Sequence, residues 1–349
     1  MKNSQLLRRL SRQARAARAV AHTARDSHRP MLAHIVPIRR CNLACGYCNE
    51  HDHASGPVPF GRVERWLDRL AALQTAFVTC SGGEPLLHPR IGEIIGAIRS
   101  RGMIPGLITN GHLLSPSTIA ALNEAGLDYL QLSIDNLEPD AVSRKSLRLV
   151  ARQLEWLAED AEFDVNINAV LGGSARPDHV RAIAARASAL GFSMAVGVVH
   201  KPTGRLRPLS PGEREVWNQF NGRRGGHVQV LRNFYSALSG YERNLVDGKP
   251  HSWRCRAGAR YLYISEEGLV GRCSQHRDTP GIPIERYTAE DVQREFTAVK
   301  RCAPYCTIGC VHKVSVLDWW LDPFRKPEPA GSPRARVTDM SGCHSSLSK

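Results

Sequence analysis

Residues 38–52 read Ile-Arg-Arg-Cys-Asn-Leu-Ala-Cys-Gly-Tyr-Cys-Asn-Glu-His-Asp, which spaces Cys41, Cys45 and Cys48 as C-x3-C-x2-C. Three thiolates so close together can hold three corners of a cubic iron-sulfur cluster, and the fourth iron is then left without a protein ligand. Structural zinc sites and ordinary electron-transfer clusters close with four ligands, so a triplet points to a centre that binds something else at its open corner. The competing reading is half of a zinc site, or three unrelated core cysteines.

Some way downstream, an apolar run over residues 76–80 ends in Ser81-Gly82-Gly83-Glu84-Pro85. A glycine pair lets the backbone approach a ligand where a side chain would clash, and a carboxylate beside it can receive an ammonium group. The triplet, the aromatic Tyr47 inside it and this second segment resemble the motifs of the radical S-adenosylmethionine (SAM) superfamily. The resemblance implies a 4Fe-4S cluster on Cys41, Cys45 and Cys48 as the catalytic centre, with SAM as the ligand of its open iron. It also implies that Gly82, Gly83 and Glu84 hold the methionyl amino group and that Tyr47 lies beside the cofactor.

From residue 31 to about 210, β-rich runs alternate with helical stretches, the pattern of strand-helix units on a parallel sheet. Strands are expected at 32–38, 77–81, 105–109, 129–134, 164–171 and 194–200, with helices at 61–72, 90–101, 115–125, 143–160 and 176–190. The pattern implies an α/β fold, and six units match the partial (β/α)6 TIM-like barrel of the resembled superfamily, an arrangement with its site at the C-terminal strand ends. Short polar residues punctuate those ends, and buried polar groups need partners. By the same resemblance Asn110, Ser133, Asp135 and Asn168 are cofactor contacts; the other reading makes each a turn former that satisfies its own backbone. His200 is either a satisfied polar residue or a substrate contact, and Cys80 reads as a buried free thiol.

Beyond the Pro208, Pro211 and Gly212 joint the repeat stops. A helix is expected over 227–246, then Cys255, a hairpin pairing 260–265 with 269–273, and Cys273, spaced C-x12-G-x4-C. This resembles the opening of the SPASM or twitch extensions that carry auxiliary clusters in part of the superfamily. Cys302, Cys306 and Cys310 add three thiolates. The resemblance implies one auxiliary 4Fe-4S cluster on Cys255 and Cys273 with two or three of the later cysteines; a structural zinc remains the competing assignment. Cys343 lies in a Pro, Ser and Arg-rich tail expected to be disordered. The domain plan is thus a basic helix at 1–30, the barrel at 31–210, the small cysteine-rich C-terminal extension at 211–320 and the tail at 321–349.

The net charge of +14 is concentrated, because Lys2, Arg8, Arg9, Arg12, Arg15, Arg18, Arg25 and Arg29 face only Asp26 within residues 1–30. Leu6, Leu7, Leu10, Ala14, Ala17 and Ala21 recur at helical spacing, so 4–23 reads as a basic amphipathic helix. Such a helix can touch an anionic membrane, receive an acidic carrier, dock an acidic flavodoxin- or ferredoxin-type electron donor, or simply pack on the core. No apolar run reaches membrane-spanning length and no export signal opens the chain; ten cysteines in a chain this long, mostly clustered, fit a reducing cytoplasm with optional membrane association. Nucleic-acid binding lacks its aromatics and motifs. The expected function is reductive cleavage of SAM and hydrogen abstraction from a peptide, lipid or carrier-bound small molecule. The thirty residues before the first strand are too few for a fused peptide-binding domain. The alternative is a non-catalytic iron-sulfur redox sensor or electron carrier, for which Gly82, Gly83 and Glu84 have no use.

Overall fold

A computed structural model describes residues 3–173, 175–198, 208–221, 244–247, 249–251, 253–277 and 279–321. The expected helix over 227–246, His200, Cys343 and the tail fall wholly or mostly outside these residues. The six expected strands are present as β1 (Leu32–Ile38), β2 (Phe77–Gly82), β3 (Ile104–Thr109), β4 (Tyr129–Ser133), β5 (Asp164–Leu171) and β6 (Ser193–Val198). All pair in parallel with their sequence neighbours, and the intervening helices are α2 (Phe60–Ala72), α3 (Ile91–Ser100), α4 (Pro116–Ala125), α5 (Leu147–Asp160) and α6 (Pro177–Ala189). This is the open (β/α)6 arrangement read from the sequence.

Parallel register keeps one face of every strand aligned, which is why the apolar rows are so regular. Ile35, Cys80, Leu107, Leu130 and Val165 pair in one row across β1 to β5, all buried against the helices. Each such aliphatic side chain removed from water contributes roughly 1.5–3 kcal/mol. The opposite face is more polar: His34 pairs with Thr79, and Ser133 with Asn168. Helix boundaries follow local chemistry. Ser115 caps α4 by accepting from the Thr118 N–H at 3.1 Å, Pro116 opens the helix and Gly126 closes it with φ of +78°. The expected helix at 143–160 begins later, at Leu147, because residues 143–146 form a loop that folds back toward the strand ends.

The sheet does not stop at the barrel. Strand β7 (Tyr261–Ile264) pairs in parallel with β1, and β8 (Leu269–Gly271) and β9 (Pro280–Pro283) follow antiparallel, giving the nine-stranded order β6-β5-β4-β3-β2-β1-β7-β8-β9. Helices α7 (Pro211–Asn221), α8 (Ala289–Thr297) and α9 (Gly309–Leu321), with β9, were not anticipated from the pattern.

Helix α1 (Asn3–Ala24) lies across the N-terminal strand ends. Arg12 pairs with Asp164 at 2.9 Å and Arg15 pairs with Asp128, residues at the starts of β5 and β4. Its C-terminal end is held by the fully buried Arg260, which donates to the Thr23 and Asp26 carbonyls, each at 2.9 Å, and ion-pairs with Asp318 of α9. Part of the charge that the sequence offers to an outside partner is therefore used inside the molecule, while Leu7 and Leu10 are exposed. Among the described residues, no helix is long and apolar enough to cross a membrane.

Candidate active site

The cysteine triplet sits on the loop after β1, at the C-terminal end of the sheet. Two backbone bonds close the loop: Cys41 N–H donates to the Asp52 carbonyl at 2.9 Å, and Asp52 N–H to the Arg39 carbonyl at 3.2 Å. Asp52 also accepts from the Ala54 and Ser55 N–H groups, which fixes the turn. A cavity of about 220 Å³ opens beneath, lined by all three thiols and by Ser81, Gly82, Gly83, Asn110 and Ser133. Four predicted positions, Gly82, Gly83, Asn110 and Ser133, from three separate segments thus converge with the triplet on one space.

Gly83 explains itself geometrically. A Cβ there would stand 2.1 Å from the Arg39 carbonyl oxygen and 2.3 Å from that of Arg40, so β2 can meet the cysteine loop only without a side chain. Gly82 has φ of +105°, and a Cβ would fall 2.4 Å from Val36. The glycines therefore serve close backbone packing as well as the cavity wall.

Glu84, Tyr47, Asp135 and Asn168 do not line the cavity. The Glu84 carboxylate turns inward and accepts from the Thr109 hydroxyl at 2.7 Å, the Asn110 N–H at 2.8 Å and the Leu86 N–H at 3.0 Å, stitching β2 to β3. Burial pushes its pKa up, and these donors oppose that. Asp135 accepts the Tyr47 hydroxyl and the Ser143 hydroxyl, the latter at 2.7 Å, so it anchors the cysteine loop. Asn168 is half-buried, its carbonyl taken by the Ile134 N–H at 3.0 Å.

Lys145, which the sequence reading did not single out, stands in the cavity wall. It belongs to the folded-back 143–146 loop, donates to the Tyr47 hydroxyl at 3.2 Å and stands 5.3 Å over that ring. Burial opposes its charge, but Tyr47, Asp135 and the Cys45 and Cys48 thiols outweigh burial and hold its pKa above the usual lysine range. Among these thiols, burial pushes those of Cys41 and Cys48 up. The sequence reading missed Lys145 because a helical pattern ran through it. Glu50, His34 and Tyr261 were missed too, and all three line the cavity. Burial pushes Glu50 up against a Ser274 hydrogen bond, and holds the His34 imidazole down at about 4.

The C-terminal thiols separate into two environments. Burial raises Cys255 to about 11, with Cys302 adding to it; Cys273 is raised by burial and then by Cys255 and Cys302; Cys306 is raised by burial and then by Cys255, Cys273 and Cys302. These four feel one another. Cys310 instead receives a Tyr261 hydrogen bond, feels Lys313 and Glu50, and lines the cavity under the triplet. Cys80 lies in the helix-facing core, its thiol pushed up to about 12, which makes it inert.

Among the described residues, no group of three or more His, Cys, Asp or Glu side chains is already gathered as a metal ion would need. The donor chemistry still fits. Neutral thiols with raised pKa values have no reason to crowd, and thiolates draw together as the metal displaces their protons.

Residues 35–199 match the sequence profile of the radical SAM superfamily. PqqA peptide cyclases are 36% identical over 117 residues in Ruegeria pomeroyi and 40% over 108 in a Methylobacterium species, covering 33% and 30% of this chain. The GTP 3′,8-cyclase of Chlorobaculum tepidum is 30% identical over 138 residues, 38% of this chain. The chain spans 31%, 28% and 42% of the lengths of these relatives. In fold it is similar to Streptococcus suis SuiB, with a TM-score of 0.55 at 17% identity over 79% of this chain and 69% of SuiB. It is also similar to anSMEcpe solved with AdoMet and a peptide, with a TM-score of 0.54 at 19% identity over 81% of this chain and 88% of that one. The barrel carried by residues 35–199, with its cysteine triplet and glycine pair at the strand ends, is a radical SAM domain.

Proposed function

We propose that the chain cleaves SAM at a 4Fe-4S cluster on Cys41, Cys45 and Cys48 and uses the product radical on a peptide. The observation that carries this is the cavity in which those thiols face Ser81, Gly82, Gly83, Asn110, Ser133 and Lys145. When bound, the cluster and SAM supply a one-electron carbon-sulfur cleavage that yields a 5′-deoxyadenosyl radical. The protein's part is positioning and the exclusion of water. Lys145, kept charged by its neighbours, suits the cofactor carboxylate. The Gly82–Gly83 backbone offers carbonyls to its amino group, and Asn110 and Ser133 offer hydrogen bonds to its sugar. Glu84, Tyr47, Asp135 and Asn168 act one step back: Glu84 sets the β2 and β3 ends, Asp135 and Tyr47 hold the cysteine loop and Lys145, and Asn168 holds the end of β4.

A peptide is favoured over a lipid or small molecule because named relatives act on, or were solved with, peptides. Cys255, Cys273, Cys302 and Cys306 hold one auxiliary iron-sulfur cluster in a twitch-like extension, for which four thiols that lie within one another's field are the right donors. An acidic flavodoxin- or ferredoxin-type protein supplies the electron.

Oxygen-free reconstituted protein, reduced in the presence of SAM, is expected to release 5′-deoxyadenosine, and Cys45→Ala to release none. Equal yields from the two proteins would sink the reading. A peptide encoded beside the gene should change mass during turnover; a peptide left unchanged while 5′-deoxyadenosine accumulates would remove the substrate assignment alone. Iron and zinc analysis decides the metal of the second centre.

A further inference from the structure

The sequence sets the last three of these thiols at even spacing, and nothing in Cys302-x3-Cys306-x3-Cys310 distinguishes the last. The fold does. Cys302 and Cys306 precede α9 and flank a short turn, Ala303–Tyr305, and Cys306 is turned back to accept the Ile308 N–H at 3.4 Å. Cys310 is the second residue of α9 and turns out of that group, into the cavity wall shared with Cys41, Cys45 and Cys48. A second group in the same wall asks for an occupant: the Ser81 hydroxyl is more than nine-tenths buried, lines the cavity and has no hydrogen-bond partner. Strand alternation aims it there, since Cys80 faces the helices and Ser81 the other way.

We propose that Cys310 is not a metal ligand but the hydrogen-atom donor that ends the reaction, quenching a carbon radical on the substrate held in this cavity. The inference rests on the radical reading above. A thiol suits the task because its S–H bond is weak and, here, stays protonated: burial pushes the Cys310 thiol up to about 11. Tyr261 hydrogen-bonds it and itself packs edge-on against His34 at 5.2 Å, and the thiol keeps partial exposure. The step balances simply. The C–H bond of the product forms as the S–H bond breaks, leaving a thiyl radical on Cys310. One electron from the flavodoxin- or ferredoxin-type donor and one proton from solvent then restore the thiol. The net result is replacement of one substrate hydrogen, and a substrate carbon stereocentre can be inverted without net oxidation.

The test uses oxygen-free holoprotein with both centres loaded. Prolonged iodoacetamide treatment at alkaline pH, which draws on the small thiolate fraction, followed by peptide mass spectrometry should label Cys310 while the metal-held Cys255, Cys273, Cys302 and Cys306 resist, and S-adenosylhomocysteine should suppress the label. Cys310→Ala and Cys310→Ser should keep the full iron content. In D2O without peptide, the 5′-deoxyadenosine formed by the native protein should gain deuterium from the exchanged thiol, and Cys310→Ser should lose that deuterium. Resistance of Cys310 to the reagent, loss of iron in either variant, or deuterium unchanged by the substitution would each overturn the proposal. Should the native protein form no 5′-deoxyadenosine at all, the proposed function itself fails, and the labelling and iron measurements still judge Cys310.

Discussion

The two cysteine regions differ in what surrounds them. The triplet loop is half open: Cys41 and Cys48 are partly exposed, the loop is tied by backbone bonds around Asp52, and a cavity adjoins all three sulfurs. The later group is more deeply set, although its Cys302 and Cys306 are partly exposed. Cys255 and Cys273 are buried in an apolar cluster with Val36, Tyr261, Tyr263, Val311 and Leu317, which joins β1, β7 and α9. On the proposed function, the contrast teaches that one region is arranged to admit a ligand beside its metal, while in the other a metal would complete a core.

The sharpest way to break the contrast is to remove one thiol from each side. Cys45→Ala should abolish SAM cleavage while leaving the thermal midpoint almost unchanged. Cys255→Ala should lower the midpoint and the iron content, since the binding energy of the proposed second centre would be part of folding. Equal effects on stability would erase the distinction. Next in size, Arg260→Ala leaves Asp318 facing the interior with less compensation and frees three carbonyls near α1; a loss of about 3 kcal/mol in denaturant unfolding is expected. On the open side, Gly83→Ala forces a Cβ against two backbone oxygens and should cost about 2 kcal/mol and weaken cluster retention, measured by unfolding and iron analysis.

A pH series sharpens the comparison further, because a histidine stands by each region, the partly exposed His34 at the cavity and the buried His312 on α9. His34 is held down at about 4 and His312 at about 2, both by burial. A histidine whose folded pKa lies below its unfolded value near 6.5 costs stability as pH falls through 6.5, because only the unfolded chain takes up the proton. For His34 the loss levels off near pH 4 at roughly 2 kcal/mol after allowing for its partial exposure. His34→Gln should flatten this part of the stability curve. The smallest effect belongs to α1: Arg12→Ala breaks a partly exposed pair and should cost at most about 1 kcal/mol.

Much of the barrel was legible because its periodicities are local. The alternation of Val165, Ile167, Ala169 and Leu171 gives β5, and Ser115-Pro116 announces α4. The triplet and the glycine pair were legible as chemistry. Lys145 was not, since its position depends on a loop whose folding back toward β4 no short window records. The inward turn of Glu84 was equally hidden, because it depends on hydroxyl and amide donors from a different strand, β3. The division of the five later thiols depends on where α9 begins, and the pairing of β7 with β1 joins residues more than two hundred positions apart. Contacts of that range leave no periodic trace.

That last pairing carries a consequence of its own. Because β7 covers the flank of β1, severing the polypeptide after Ser210 would strip a row of amide and carbonyl groups bare in the middle of what is now a continuous sheet. Such a fragment would seek replacement strands from its own copies and precipitate rather than persist as an independent barrel. The later segment is thus less an accessory than the missing plank of the earlier one, and evolution could not have exchanged it freely without first mending that seam.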